Sequence, residues 1–198
     1  DLPAMRSLLG FLLLAHVARA ALTSSMTRRA ALLGATASGI IPLRSRVATA
    51  ADTVLGKKMT HLSPKEIGDI VRADLVERQF LATAAFTREI YDEAATFTDE
   101  IDTYTLPSFI KGTSALFVPQ KSVVQLVGDI EASTSSVVFR FDEDLCFNIP
   151  FKPIVTVTGR CELTRDPETG LIIKYREYWD KSPTEVVLTA FQKKPVRS

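Results

Sequence analysis

Histidine is scarce in this sequence of 198 residues, which contains only His16 and His61. A Ser-His-Asp triad, a Cys-His pair and a histidine-based metal site each need an imidazole beside the other reacting or ligating groups. His61 is the one histidine after residue 50, and it stands before the first predicted helix. The sequence therefore excludes these three kinds of site, and we expect no bound metal.

Glycine clusters and an excess of positive charge are also lacking after residue 50. Gly112, Gly128, Gly159 and Gly170 stand singly, so no glycine-rich loop that would cradle a phosphate is visible. The 18 basic side chains of residues 51–198 are outnumbered by 22 acidic ones. Nucleic-acid binders carry a basic stripe instead. We expect no cofactor and no nucleic-acid partner.

Acidic residues are missing from residues 2–51, and this absence points to sorting rather than folding. Residues 1–50 hold six arginines and one acid, Asp1. A short apolar run at residues 8–15 precedes a small-x-small cleavage site at 18–20, which is typical of a secretory signal. Arg28 and Arg29 then precede a weaker apolar run that ends in an A-x-A site at 48–50, as in a twin-arginine export signal. We interpret residues 1–50 as a sorting leader.

Two export signals in series resemble the tripartite leaders of lumenal proteins in algae with secondary plastids. In those leaders a signal peptide, a transit region and a thylakoid signal follow one another. The resemblance implies that the mature protein resides in the plastid thylakoid lumen. Transit regions of this kind start with Phe, whereas Ala21 and Leu22 follow the first site here. A single secretory signal followed by a spacer, which would direct the protein to another exported compartment, stays open as the alternative.

The rest of the chain predicts one small α+β domain with its helices first and its long strands last. Ser63, Pro64 and Glu66 have the spacing of a helix N-cap with a capping box, and Ser182 to Glu185 repeat it. The further predicted elements are a short helix carrying Phe86, Ile90 and Tyr91, a strand at 95–98, a helix from Leu106 to Phe117, and strands at 122–131, 136–147, 154–164 and 171–179.

This order of elements resembles the nuclear-transport-factor-2-like superfamily, which includes SnoaL-like and ketosteroid-isomerase-like proteins. The sequence segments that carry the resemblance are residues 90–99, 110–112, 164–167, 170–172 and 175–180. It also resembles a plastid-targeted branch of that superfamily. The resemblance implies a cone-shaped, curved antiparallel sheet covered by N-terminal helices over residues 62–192. Residues 51–61 are expected to form a flexible start, and residues 193–198 a tail.

Asp99 is the one candidate catalytic residue that the resemblance supplies, because an acid at the end of the first strand is the proton shuttle of the isomerase-like branch. The same register places Leu75 where that branch has a tyrosine hydroxyl facing the developing oxyanion. Tyr91 or Tyr104 could supply a hydroxyl from another direction. The competing interpretation is that Asp99 braces the loop that leads to Tyr104. Tyr91, Tyr104 and Trp179 are the candidate ligand-binding residues.

Cys146 and Cys161 lie on neighbouring predicted strands, and two interpretations stay open for them. An exported compartment permits a disulfide, but equal chain lengths on either side of the turn would place Cys146 nearer Thr156. The alternative is two separate buried thiols.

Three functions from different classes are compatible with these features. The preferred one is a non-catalytic lumenal module that binds a small apolar ligand or docks on a photosynthetic membrane complex. The second is an isomerase- or lyase-like enzyme with Asp99 as general base. The third is a structural homodimer formed through the sheet face, where Arg140, Asp142 and Asp144 alternate along one strand.

The mature N-terminus is predicted to be Ala51, within about two residues, because the second export signal ends at residues 48–50. N-terminal sequencing of the protein isolated from its native source checks this position. A mature start near Ala21 would contradict the lumenal assignment.

Overall fold

The computed structural model describes residues 56–192, so the predicted leader at 1–50 and the predicted tail at 193–198 lie outside the described part. Among residues 56–192, no helix is long and apolar enough to cross a membrane. In chain order the helices and strands are α1 (Pro64–Val76), α2 (Phe80–Thr83), β1 (Tyr91–Thr98), β2 (Thr103–Thr105), α3 (Leu106–Leu116), β3 (Val123–Ala132), β4 (Ser136–Cys146), β5 (Ile154–Arg165), β6 (Ile172–Trp179) and α4 (Pro183–Leu188).

The six strands form one sheet in the order β2-β1-β6-β5-β4-β3. The predicted α+β class is confirmed, with one difference: the sheet is mixed, because β1 and β6 run parallel while the other neighbours are antiparallel. Register shifts interrupt β1 between Tyr91 and Thr96 and β3 between Val127 and Glu131. Bulges of this kind bend a strand and increase its twist, which curves the sheet.

The predicted helix starts at Ser63 and Ser182 are both confirmed. Ser63 accepts from the backbone N–H of Glu66, and the Glu66 carboxylate accepts from the backbone N–H of Ser63 at 2.8 Å. Ser182 and Glu185 make the same reciprocal pair at the start of α4. In each case Pro occupies the first helical position, where its missing N–H removes no hydrogen bond.

The predicted helix over residues 86–91 is wrong. A single 3₁₀ turn spans Arg88–Ile90, and Tyr91 already begins β1, where it pairs with Ile172. The Asp74 carboxylate accepts from the backbone N–H of Thr87 at 2.9 Å and from its hydroxyl, which ties this connection to α1. The apolar spacing of Phe86 and Ile90 fits a helix equally well, and pairing with a distant strand decides the outcome.

The core lies between the helices and one face of the sheet. The six side chains predicted to share it are all buried: Leu75, Phe80, Phe97, Phe109, Phe139 and Phe141. At its centre the ring of Phe97 stacks on Phe109 at 4.2 Å and on Tyr175 at 4.9 Å between centroids. Every second residue of β4 and β5 is buried, as expected for strands with one face against a core.

The predicted alternative of a disulfide between Cys146 and Cys161 is excluded by the strand register. Cys146 lies opposite Ile154, whereas Cys161 lies opposite Phe139. These two positions are seven residues apart along β4, a distance of about 24 Å, and a disulfide needs Cα atoms within about 7 Å. Both cysteines are buried free thiols.

Phe139→Ala is expected to lower the free energy of unfolding by roughly 3–5 kcal/mol, because it removes a ring that is 1% exposed. Urea denaturation measures the change. Val127→Ala, on the exposed face of β3, is the control and should change the value by about 0.5 kcal/mol or less. Equal stability of the two variants would mean that β4 presents its other face to the core.

Candidate functional site

Two buried glutamates stand out on the largely apolar inner face of the sheet. Glu143 follows Phe139 and Phe141 at period two along β4, and it is 3% exposed. Glu177 lies on β6 between Tyr175 and Trp179, opposite Cys161 of β5, and is 8% exposed. The negative charge of Glu177 raises the pKa of Glu143, so the two side chains face a common region. We call this region, with Glu143, Glu177, Trp179 and the nearby Asp99, the acid end of the interior.

Glu177 is held by both of its neighbours on the same face of β6. The Tyr175 hydroxyl donates to Oε1, and the Trp179 indole Nε1–H donates to Oε2 at 2.8 Å. Burial raises the pKa of Glu177 to about 7, and the charge of Asp99 adds to the shift. The two hydrogen bonds and the charge of Arg176 oppose it. Near neutral pH this carboxyl can therefore both give up and take a proton.

One carboxylate oxygen of Glu143, Oε2, is buried and has no hydrogen-bond partner. Burial raises the pKa of Glu143 well above its ordinary value, and the charges of Glu177, Asp99 and Asp144 raise it further. A buried polar atom without a partner costs about 1–3 kcal/mol. Most such atoms in proteins are paired, so this one needs an explanation.

Cys161 lies opposite Glu177 on β6 and opposite Phe139 on β4, and its chemistry is that of a protonated thiol. Burial raises its pKa well above the ordinary value, with a further contribution from the charge of Glu177. A nucleophilic or metal-binding cysteine needs the opposite shift. Among the described residues, no group of three or more His, Cys, Asp or Glu side chains is placed to hold a metal ion.

Asp99 stands at the edge of the acid end rather than inside it. It is half-buried and follows β1 directly. Its Oδ1 accepts from the backbone N–H groups of Ile101 and Asp102, each at 2.8 Å. The carboxylate therefore braces the loop that leads to β2, which is the competing interpretation from the sequence. Its role as a general base stays a prediction, and Leu75, fully buried in the core, offers no hydroxyl.

The three predicted ligand-binding residues lie on three different strands. Trp179 belongs to the acid end through its hydrogen bond to Glu177. Tyr91 lies in the aromatic part of the core, with its ring 5.6 Å from Phe97. Tyr104 is half-buried on β2 as the partner of Phe97. Of the three, Trp179 is the one that the geometry connects to the candidate site.

Glu143 and Glu177 were not singled out from the sequence, although a signal for both is present. The alternation that places Phe139 and Phe141 inward also places Glu143 inward, one residue from Asp142 and Asp144 on the other face. Glu177 likewise shares its face with Tyr175. A carboxylate in register with inward aromatic residues is the observation that would have found them.

The outer face of the sheet carries the predicted polar rows. Arg140 pairs with Asp180 at 2.7 Å and Arg176 with Glu100 at 2.9 Å. The guanidinium groups of Arg160 and Arg176 lie over the Tyr178 ring, 4.6 and 4.9 Å from its centroid. Exposed pairs of this kind contribute about 0–1 kcal/mol each to stability. These charged side chains lie on the outer face, whereas Glu143 and Glu177 lie on the inner face.

Solved structures similar to this chain have SnoaL-like, nuclear-transport-factor-2-like and ketosteroid-isomerase-like folds. A SnoaL-like protein from Jannaschia sp. CCS1, proposed to be a polyketide cyclase, is 17% identical with a TM-score of 0.49, covering 71% of this chain and all of its own. A nuclear-transport-factor-2-like protein from Burkholderia thailandensis E264 is 13% identical with a TM-score of 0.49, covering 67% of this chain and 99% of its own.

A third protein, from Catenulispora acidiphila DSM 44928, has a ketosteroid-isomerase-like fold and was solved in complex with trimethylamine; it is 14% identical with a TM-score of 0.45, covering 67% of this chain and 96% of its own. No protein-family model matches the chain, and no curated protein matches it significantly. At these values the likenesses bear on the fold alone. What the site can do depends on this chain's own residues.

Glu177→Gln is expected to remove part of the pH dependence of stability. Because the folded-state pKa of about 7 lies above the ordinary 4.5, the folded protein binds this proton more tightly than the unfolded chain does. The stability that Glu177 contributes is complete below about pH 4.5 and is lost as the pH rises to about 7. The difference in unfolding free energy between wild type and variant should therefore shrink by roughly 1–3 kcal/mol over this range.

Urea denaturation at a series of pH values measures this difference, and Glu162→Gln, on the outer face of β5, serves as the matched control. The control should follow the wild-type curve. Parallel curves for wild type and Glu177→Gln would show that Glu177 titrates normally and would contradict the described environment.

Proposed function

We propose that the domain binds a small, largely apolar molecule at the acid end of its interior. The observation that carries the proposal is the buried Oε2 of Glu143, which has no hydrogen-bond partner. Stability alone does not favour a carboxyl on an apolar face, because an aliphatic side chain of similar size would remove the desolvation penalty. Residues that are kept against stability are typical of binding and catalytic sites.

The surroundings of Glu143 support a ligand that is mostly apolar. On the same face, Phe141 lies beside Gly159, with the Phe141 ring 3.2 Å from the place that a Cβ at Gly159 would occupy. Gly159 is opposite Trp179 on the next strand. Apolar and aromatic walls with a few placed polar groups are the usual composition of a small-molecule site.

Catalysis by proton transfer is the second candidate, and one observation favours it: the pKa of Glu177 is about 7. A general base is most effective when its pKa lies near the working pH. The Tyr175 and Trp179 hydrogen bonds fix the carboxyl in one orientation. In this scheme Glu177 takes the proton, and Glu143, whose raised pKa favours the protonated form, donates to the charge that develops. Glu177 then takes the role that the sequence resemblance gave to Asp99.

The thylakoid lumen is our proposal for where the domain works, supported by the arginines and the two export-like runs of residues 1–50. Docking on a photosynthetic membrane complex and a homodimer are further proposals. Either would use the outer face of the sheet around Tyr178, since the inner face is covered by helices.

Glu143→Leu is the variant that tests the binding proposal. It should raise the free energy of unfolding by roughly 1–3 kcal/mol, because it removes a buried carboxyl with an unpartnered oxygen. It should also abolish ligand binding. Urea denaturation measures the first effect. For the second, small molecules released from the natively isolated protein are identified by mass spectrometry, and the variant should lack those that the wild type carries.

Glu162→Leu, on the outer face of the neighbouring strand, is the control and should retain the bound molecule. If Glu143→Leu is less stable than the wild type, the carboxyl is a structural element and the proposal is wrong. A wild-type protein that carries no small molecule would contradict it as well.

A further inference from the structure

We infer that the molecule bound at the acid end carries a positively charged nitrogen, as a protonated organic amine does. This inference rests on the proposed binding function and concerns the chemical class of the ligand. It follows from the balance of hydrogen-bond donors and acceptors, from the balance of charge, and from the side chains that surround the two glutamates.

The acid end offers acceptors, and its protein donors are already in use. The Tyr175 hydroxyl and the Trp179 indole N–H both donate to Glu177. The Glu143 Oε2 atom is left without a partner. A ligand that hydrogen-bonds to the Glu143 carboxylate therefore has to supply its own N–H or O–H donors. An ammonium group supplies up to three.

The charge balance points in the same direction. Three carboxyl groups, those of Glu143, Glu177 and Asp99, influence one another. Among the described residues the buried cation is Arg165, whose donors are taken by carbonyls of Gly170, Ser133 and Leu62 at the far end of β5.

Arg176 lies at the rim, and its two terminal nitrogens donate to the Asp99 carbonyl and to Glu100. It therefore does not enter the interior as a counter-ion. Without a ligand, the buried carboxyls are neutralised by binding protons. The pKa values of Glu143 and Glu177 are raised because burial favours this neutral form. A cationic ligand would take the place of those protons.

The surroundings favour an organic cation over a metal ion. Among residues 56–192 no set of acidic, cysteine or histidine side chains has metal-binding geometry. Aromatic rings are present instead: Trp179 borders Glu177, and Phe141 lies on the same inner face beside Gly159. The face of an aromatic ring attracts an ammonium group, most strongly where water is excluded.

A neutral ligand that accepts a hydrogen bond from protonated Glu143 is the competing case, and pH separates the two. The groups that face Glu177 are Tyr175 and Trp179 on its own strand, Cys161 on β5, Glu143 on β4, Asp99 after β1 and Arg176 at the rim. Of these, Glu177 changes charge near neutral pH, because burial raises its pKa to about 7. A cation competes with the carboxyl protons, so it should bind more tightly as the pH rises. A neutral acceptor needs these protons, so it should bind more weakly.

The test uses the purified full chain and the fluorescence of Trp179, the only tryptophan in the sequence. The probes are 2-phenylethylammonium and cyclohexylmethylammonium, each with its neutral alcohol isostere. We expect both ammonium ions to bind at least about tenfold more tightly than their alcohols. With Glu177 titrating near 7, their Kd should fall about tenfold between pH 6 and pH 8. Glu177→Gln and Glu143→Leu should lose this binding, and Glu162→Gln should keep it.

Alcohols that bind as tightly as the ammonium ions, or ammonium binding that strengthens as the pH falls, would overturn the inference and leave the proposed binding function intact. If none of the four probes binds, the molecule released from the native protein decides. A basic nitrogen in that molecule supports the inference, and a neutral molecule overturns it. If the native protein carries nothing, the proposed function and this inference fail together.

Discussion

The continuous pairing of β5 with β4 is the constraint on which the rest of the domain depends. All 11 residues of β4 are paired with β5, from Ser136 opposite Thr164 to Cys146 opposite Ile154. Since successive side chains alternate between faces, a slip of one residue would exchange the faces of a whole strand. The charged outer row would then enter the core, which is too costly to occur. The register therefore determines that Glu143 lies inside and Arg140 outside.

Tyr175 connects the two parts of the interior that this register creates. Its ring belongs to the aromatic part of the core, stacked on Phe97, while its hydroxyl donates to Glu177 at the acid end. Aromatic packing thus fixes the position of a hydrogen bond that helps to set the protonation of a buried carboxyl. The stacked rings of the aromatic part of the core stabilise the fold, whereas the buried carboxyls at the acid end reduce its stability. Such a division is typical of domains whose interior also binds a ligand.

Much of the fold could be predicted from the sequence, because its signals are local. The capping boxes at Ser63 and Ser182 and the turns between β3, β4, β5 and β6 depend on neighbouring residues, and the four long strands are bounded within about two residues of the prediction. The start of β1 at Tyr91 could not be predicted in this way, since it depends on pairing with Ile172, which is distant in sequence. The short β2 strand depends equally on its pairing with β1.

The candidate site was predicted only in part, for a related reason. Asp99 was chosen because a family resemblance assigns a role to that position, whereas Glu143 and Glu177 become visible once the inner face of each strand is known. Asp142 and Asp144 flank Glu143 in the sequence, and its alternation with Phe139 and Phe141 is what distinguishes the buried carboxyl from the two on the outer face. Trp179 was identified from its type alone, and its partner emerged from the geometry.

The parallel pairing of β1 with β6 also sets the order in which the domain can be assembled. Residues 96–98 find their partners at 174–176, so nearly nine-tenths of the described chain must be available before this ladder closes. Closing so long a loop is entropically costly and makes such pairings late events in folding. Glu177 arrives on the same final strand. A nascent or truncated chain that ends before β6 thus has Asp99 and Glu143 but no acid end, so the proposed ligand would have no site there.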